Sequence, residues 1–233
     1  MTAMSITSRM SIAEVARRIP SAIEIFEKAS IDYCCRGAHS LDDAAADAGL
    51  LVVELIAQLS TLRPIPDEEP LSRVAPFLIN DHQACIEDHM PALRRVIDKA
   101  LTAHGPRAPE LARIERLFSR FAAASTSHML DEEVDLLPLV AQLEQAREGA
   151  VPAPSMRISH RVLGEMVEHE HIHQQLRTMR ELAAQAAPEC CVIELRAALE
   201  RFSRLIHFHM HVENNILYPR AIEIENQLRR QLA

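Results

Sequence analysis

The 233-residue chain contains no Trp, only 2 Tyr and 6 Phe, and only 5 Gly. So few aromatics and glycines argue against β-sandwiches and barrels, and against folds that cradle nucleotides in glycine-rich loops. No apolar run approaches the ~20 residues that a membrane-spanning helix needs. No dense Lys/Arg run occurs, and 25 basic against 33 acidic residues leave a net charge of −8. That balance argues against nucleic acid and anionic membranes as partners. The opening MTAMSITSRM lacks the apolar stretch of a secretory signal. The 5 Cys, two of them adjacent at Cys34 and Cys35, suit a reducing compartment better than a disulfide framework. A cytoplasmic protein is expected.

What is present points one way. Hydrophobic residues make up 48% and charged residues 25% of a chain dominated by Ala, Leu, Glu and Arg. These are strong helix formers in a globular balance, so an all-α fold is expected. Of the 12 His, all but His39 follow residue 80, and so uneven a load in a helical protein suggests metal.

Residues 1–62 read as a small helical unit. A short helix runs from Ile12 to Ile19 and stops at Pro20. Ser21 can cap a second helix through Lys28, and Ser40-x-x-Asp43 can cap a third that ends near Gly49. A fourth covers roughly 51–62, and the sequence IDYCCRG between the second and third reads as a loop. Residues 63–70 hold three prolines and read as a linker. Residues 71–233 carry four long helical patterns at roughly 71–103, 109–146, 155–186 and 189–230, broken by Gly105-Pro106, Gly149 with Pro152 and Pro154, and Pro188. Long helices with short connections make an up-down-up-down four-helix bundle.

Helical phase, at about 100° per residue, sorts the histidines. His82 and His89 fall on the apolar stripe of the first pattern, which includes Leu78, Cys85, Leu93 and Ile97. His128 and Glu132 fall on that of the second, with Ile114, Phe118 and Phe121. On the third, with Val162, Met166, Leu176 and Met179, His169 is central, His173 is near and His171 points away. On the fourth, with Leu195, Leu199, Phe202 and Ile206, His209 and Glu213 point inward, whereas His207 and His211 face out. A core carboxylate costs several kcal/mol unless it is paired or metal-bound, yet two stripes carry one, each four residues after a His. Depth agrees. Counted from the first turn near residue 106, His82 lies 24 residues back, and His128 and Glu132 lie 22 and 26 forward. His89 is only 17 back, about 10 Å higher at ~1.5 Å per residue. Four His and two Glu can therefore converge on two metal ions, with two imidazoles on each and both carboxylates bridging. Imidazole and carboxylate together suit iron, manganese or zinc, and bridging carboxylates lean towards non-haem iron. His39, His104, His160, His171, His207 and His211 are expected at the surface.

IDYCCRG (31–37), SHMLDEE (127–133) and HMHVENNILYP (209–219) together resemble the iron-sulfur cluster repair di-iron proteins, in which a small Cys-Cys domain precedes a hemerythrin-like bundle. The likeness covers nearly the whole chain. It implies a di-iron centre, two non-haem Fe per chain, held by His82, His128, Glu132, His169, His209 and Glu213, with the two Glu bridging. In the third helix both Glu168-His169 and Glu170-His171 offer the family's Glu-His pair; spacing and phase favour His169. The family usually has seven residues from its first His ligand to a Leu-Pro pair, whereas His82 lies eight before Met90-Pro91, so the first helix departs from the pattern and His89 stays the alternative. The resemblance further implies repair of clusters damaged by nitric oxide or oxidants, with damaged iron-sulfur proteins and the diatomic ligands NO and O2 as partners. By their residues alone Cys34 and Cys35 are either two small buried side chains or loop thiols whose pKa Arg36 would lower; the resemblance implies the thiol role. Cys190-Cys191, opening the last helix, could likewise gain a lowered thiol pKa, although packing is the simpler role. A hemerythrin-like O2 or NO carrier and a di-iron nitric oxide reductase are the competing functions. The small unit is marginal alone, so docking on its bundle or on a second subunit, and hence a homodimer, is also expected.

Overall fold

In the computed structural model the described residues are 6–62, 71–155 and 157–231; the expected linker at 63–70 lies outside them. The small unit has four short helices, α1 (Ile12–Arg18), α2 (Ala22–Lys28), α3 (Leu41–Asp47) and α4 (Val52–Leu59). Ser11 and Ser40 each accept a first-turn backbone N–H at 3.1 Å, from Glu14 and Asp43, and so start α1 and α3. Ser21 does not cap: its backbone is already helical and its side chain makes no cap bond, so α2 is held by packing. Ile12, Val15, Ile19, Phe26, Leu41 and Leu55 close one apolar core.

The bundle has four rods. The first is α5 (Leu71–Ala84) and α6 (Met90–His104), the second α7 (Pro109–Asp131) and α8 (Leu137–Arg147). The third is α9 (Ile158–Gln185), and the fourth is α10 (Cys190–Val212) and α11 (Tyr218–Gln231). Helix α6 packs on α7 and α10, and α9 packs on both α7 and α10, while α5 meets α8 and α8 meets α11. Along the sides of the square early halves pair with late halves (α6 with α7 and α10, α5 with α8), and the late halves α8 and α11 belong to two parallel rods, as an up-down-up-down arrangement allows. The apolar interior is split in two. One cluster includes Leu93, Ile97, Phe118, Phe121, Leu176 and Phe202. The other includes Leu78, Leu136, Val140, Val162, Leu217 and Ile224.

Between these halves three rods contain a single π-turn, at Cys85–His89, Glu132–Leu136 and Glu213–Leu217. The cause is local. Each is closed by the residue before a proline: Met90, Leu137 and Tyr218 donate their N–H to the carbonyls of Cys85, Glu132 and Glu213. Proline lacks the N–H for an α-helical bond, and its ring clashes with the carbonyl four residues back. A wider turn removes that conflict. Rod three has no proline within α9 and no π-turn.

The small unit docks on the fourth rod, where α1 meets the π-turn Glu213–Leu217. Asn215 donates to the carbonyls of Tyr33 and Cys34 at 3.1 and 3.2 Å. His211 and His207, expected outside, are buried at 1% and 7% exposure. They do face out of the bundle, but into the docked unit: Tyr33 packs edge-on against both rings, and His207 Nδ1 lies 3.0 Å from Glu27 Oε1. Burial, with the Arg17 charge nearby, pushes His211 down to about 4, and Asn215 donates to its neutral Nδ1 at 3.0 Å. A Cβ on Gly37 would run into Asn215 Oδ1 and come 2.8 Å from Ala13 Cβ. Overpacking costs about 1–3 kcal/mol, roughly a five- to 150-fold rise in the undocked population. Gly37→Ala should accordingly speed alkylation of the buried Cys34, read by mass spectrometry, while metal content stays unchanged. Unchanged alkylation would mean that the loop yields without leaving the bundle.

Candidate metal centre

The layer between the two apolar halves is polar and closed to solvent. His82, Glu132, His169 and Glu213 are fully buried, and His128 and His209 are 6% and 3% exposed. His82 keeps its inward phase despite the eight-residue spacing to Met90, because the following π-turn holds one residue more than the α-turn it replaces. His89 lies in that π-turn, half-buried, and His171 is exposed. The structure therefore brings together the six residues singled out by phase and depth and leaves both alternatives outside.

Their donor atoms fall into two groups. In one, His82 Nε2 and His209 Nε2 lie 3.2 Å apart, with Glu132 Oε2 3.4 Å from the first and Glu213 Oε1 3.0 Å from the second. In the other, His128 Nε2 and His169 Nε2 lie 3.1 Å apart, with Glu132 Oε1 3.6 Å from the first and Glu213 Oε2 3.2 Å from the second. Each carboxylate thus offers one oxygen to each group. Side-chain carboxylate oxygens that lie in this layer, Glu132 Oε2 and both oxygens of Glu213, are buried without a hydrogen bond, a condition native proteins seldom leave uncompensated. Imidazole and carboxylate donors in facing sets, with orphaned oxygens between them, fit a pair of cations.

The far side of every ring is held. Nδ1 of His82 lies 3.1 Å from Glu133 Oε1, that of His209 2.8 Å from Asp81 Oδ2, and that of His169 2.9 Å from Asn214 Oδ1. His128 Nδ1 lies 2.8 Å from Glu168 and 3.2 Å from Glu165. The Tyr218 hydroxyl donates to Glu132 Oε1 at 2.8 Å. With Nδ1 engaged, each Nε2 faces another Nε2, where two lone pairs or two N–H groups repel and a shared cation or proton relieves the contact. Burial opposes a charge here, yet the nearby carboxylates of Glu132 and Glu213 carry His82 up to about 9. Glu213 and Asp81 carry His209 up to about 10 against the same opposition, and Glu165 and Glu132 carry His128 up to about 9. Burial alone would raise Glu213, but the His209 charge and the His169 and His82 rings beside it hold it well below the carboxylate range.

Helical phase against the apolar stripes does not single out these outer partners. A signal for them exists: Asp81, Glu133, Glu168 and Asn214 are each next in sequence to one of the six, and carboxylates are the usual partners of a metal-bound imidazole. Glu165 is buried, whereas its neighbour Met166, expected on the core stripe, is 44% exposed. The Cys34 thiol is not activated. Burial, the neighbouring Cys35 and the Asp32 charge raise it well above the ordinary range, and Arg36 reaches away to Asp47 at 3.3 Å. Cys191, too, is raised rather than lowered, by its contact with Cys190. Among the described residues no helix is long and apolar enough to cross a membrane.

If the six residues act as ligands, the rival histidines should be dispensable. His82→Ala and His169→Ala should each lower iron occupancy, read by elemental analysis, while His89→Ala and His171→Ala leave it unchanged. Greater loss from either rival would remove its partner from the ligand set.

Comparison with known proteins agrees with this architecture. Residues 8–63 match ScdA_N, Domain of Unknown function (DUF542). Proteins named iron-sulfur cluster repair protein YtfE, from Yersinia pseudotuberculosis serotype IB (strain PB1/+) and Yersinia pestis (strain Pestoides F), are each 27% identical over 225 residues, covering 92% of this chain and 97% of the relative. Residues 74–221, which contain the whole polar layer, match the Hemerythrin HHE cation binding domain, and the chain belongs to that family.

Proposed function

We propose that this protein carries two iron ions in the polar layer and serves the repair of iron-sulfur clusters damaged by nitrosative or oxidative stress, supplying iron to the damaged protein. The observation that carries the iron count is the division of each Glu between two imidazole pairs, which would offer each ion two rings and two carboxylate oxygens. Such a centre would supply exchangeable iron and open positions for diatomic ligands. The chain's own part is to hold the rings through Asp81, Glu133, Glu168 and Asn214, to hold Glu132 through Tyr218, and to keep bulk water out with two apolar halves. Fe(II) stands near the weak-binding end of the divalent first-row series, which suits delivery. The repair reading draws further support from the relatives' names and from the Cys-Cys loop seated beside the centre, an element a simple O2 or NO carrier does not need. Five free cysteines suit a cytoplasmic setting.

The test is to incubate iron-loaded protein with a cluster enzyme damaged by nitric oxide, following enzyme recovery and nitrous oxide together. Recovery with loss of iron from this chain is expected. Nitrous oxide formation without recovery would instead establish a reductase, and neither outcome would leave a carrier.

A further inference from the structure

One turn beyond His169, the same helix sends His173 to the Cys-Cys loop. Its Nδ1 lies 4.0 Å from Cys34 Sγ and its Nε2 3.9 Å from Asp32 Oδ2. The Cys34 and Cys35 sulfurs are 3.7 Å apart. One donor atom from each of Asp32, Cys34, Cys35 and His173 lies within 4.8 Å of the other three. The loop is already shaped for this: Asp32 Oδ1 accepts the backbone N–H groups of Cys34, Cys35 and Arg36 at 3.2, 2.8 and 3.4 Å. That leaves Oδ2 directed at His173. The sulfurs are far too distant for a disulfide, whose bond is about 2.05 Å. Their separation matches instead the edge of a tetrahedron with metal–sulfur bonds of ~2.3 Å, which is about 3.8 Å. A cleft of about 780 Å³, lined in part by Asp32, Cys34 and His173, opens onto the group and gives an ion its path.

We propose that Asp32, Cys34, Cys35 and His173 form a second, mononuclear metal site at the junction of the two units, for a thiophilic divalent ion such as Zn(II) or Fe(II). Two thiolates, an imidazole and a carboxylate make a four-donor set of the kind such ions take tetrahedrally. Binding replaces the two thiol protons, which leave to solvent. Three donors come from the small unit and one from the bundle, so a bound ion ties the units together at the point where Asn214 and Asn215 already grip the Cys34 carbonyl. None of the four donors belongs to the His/Glu layer, so this site stands or falls independently of the proposed function.

Co(II) is the probe, because thiolate ligation gives it a near-ultraviolet charge-transfer band and tetrahedral geometry intensifies its visible bands. Full-length, iron-loaded protein, kept reduced, should bind one equivalent with both signatures and release two protons. Cys35→Ser should remove about half of the charge-transfer band. Cys34 is packed in the core, so its replacement could perturb folding; His173, on a half-buried helical position, is the discriminating variant. His173→Ala should weaken Co(II) binding by at least about tenfold, the lower bound for loss of even an outer partner of a metal site. Its bundle iron should stay normal. Cys85→Ser and Cys190→Ser should leave the bands unchanged, and Zn(II) or Fe(II) added afterwards should bleach them. Absence of a thiolate band, an unaltered affinity in His173→Ala, or failure of both ions to displace Co(II) would each overturn the site.

Discussion

Stripping the metal should lower the melting temperature by about 10 °C near neutral pH, and by more at pH 9. Binding at about a thousand times Kd contributes about 4 kcal/mol, and for a chain of this size each kcal/mol moves Tm by about 2–4 °C. The pH dependence follows from what replaces the metal. In the stripped protein His82, His128 and His209 carry raised values of about 9, 9 and 10, so protons stand in for the cations between facing rings. A raised value contributes stability that is complete below the unfolded value of about 6.5 and is lost as pH climbs through the folded one. The stripped form should therefore melt progressively lower between pH 6.5 and 10, while the loaded form, whose rings already hold metal, should change little. Glu213→Leu should erase most of the gap between the two forms, because both oxygens of Glu213 face imidazoles. Scanning calorimetry at three pH values decides it: equal melting of loaded and stripped protein throughout would mean that nothing binds in the layer.

Asn214→Ala should cut metal affinity by about 10–100-fold, the usual loss when an outer partner of a ligating imidazole is removed, although Asn214 is not among the six candidate ligands. Its Oδ1 orients His169, while its Nδ2 donates to the Cys34 carbonyl at 3.1 Å. One side chain therefore joins the layer to the Cys-Cys loop. Asn214→Asp separates the two duties: it keeps an acceptor for His169 Nδ1 and loses the donor to Cys34. Metal affinity should recover in that variant while Cys34 becomes accessible to alkylation. Equal affinity loss in both variants, by competitive chelation, would show that Asn214 acts through packing and not through His169.

Much of this site was legible in the residues because a bundle is regular. Phase and depth are additive along a straight helix, so Glu132 and Glu213 on apolar stripes announced themselves, and His169 separated from His171 by the opposite faces they occupy. What escaped has two physical causes. Phase measured against a bundle's own stripe is blind to a second unit docked outside, which is why His207 and His211 read as exposed and Tyr33 was not seen to cover them. The extended-helix reading also ran through Pro91, Pro138 and Pro219, although a proline within a helical pattern breaks or distorts it. The outer partners lay on rims where an ordinary solvated Asp, Glu or Asn is the commoner occupant.

The π-turns have a consequence for how such a chain can change over generations. A one-residue insertion in an ordinary helix rotates everything beyond it by about 100° and would swing one half of the bundle's interior to water. At Cys85–His89, Glu132–Leu136 and Glu213–Leu217 the extra residue is instead absorbed in a single loose turn, with an intact apolar half on either side. At these three places a residue could be gained or lost and the chain would still present the same inward face. The spacing of eight from His82 to Met90 accordingly leaves His82 facing the interior.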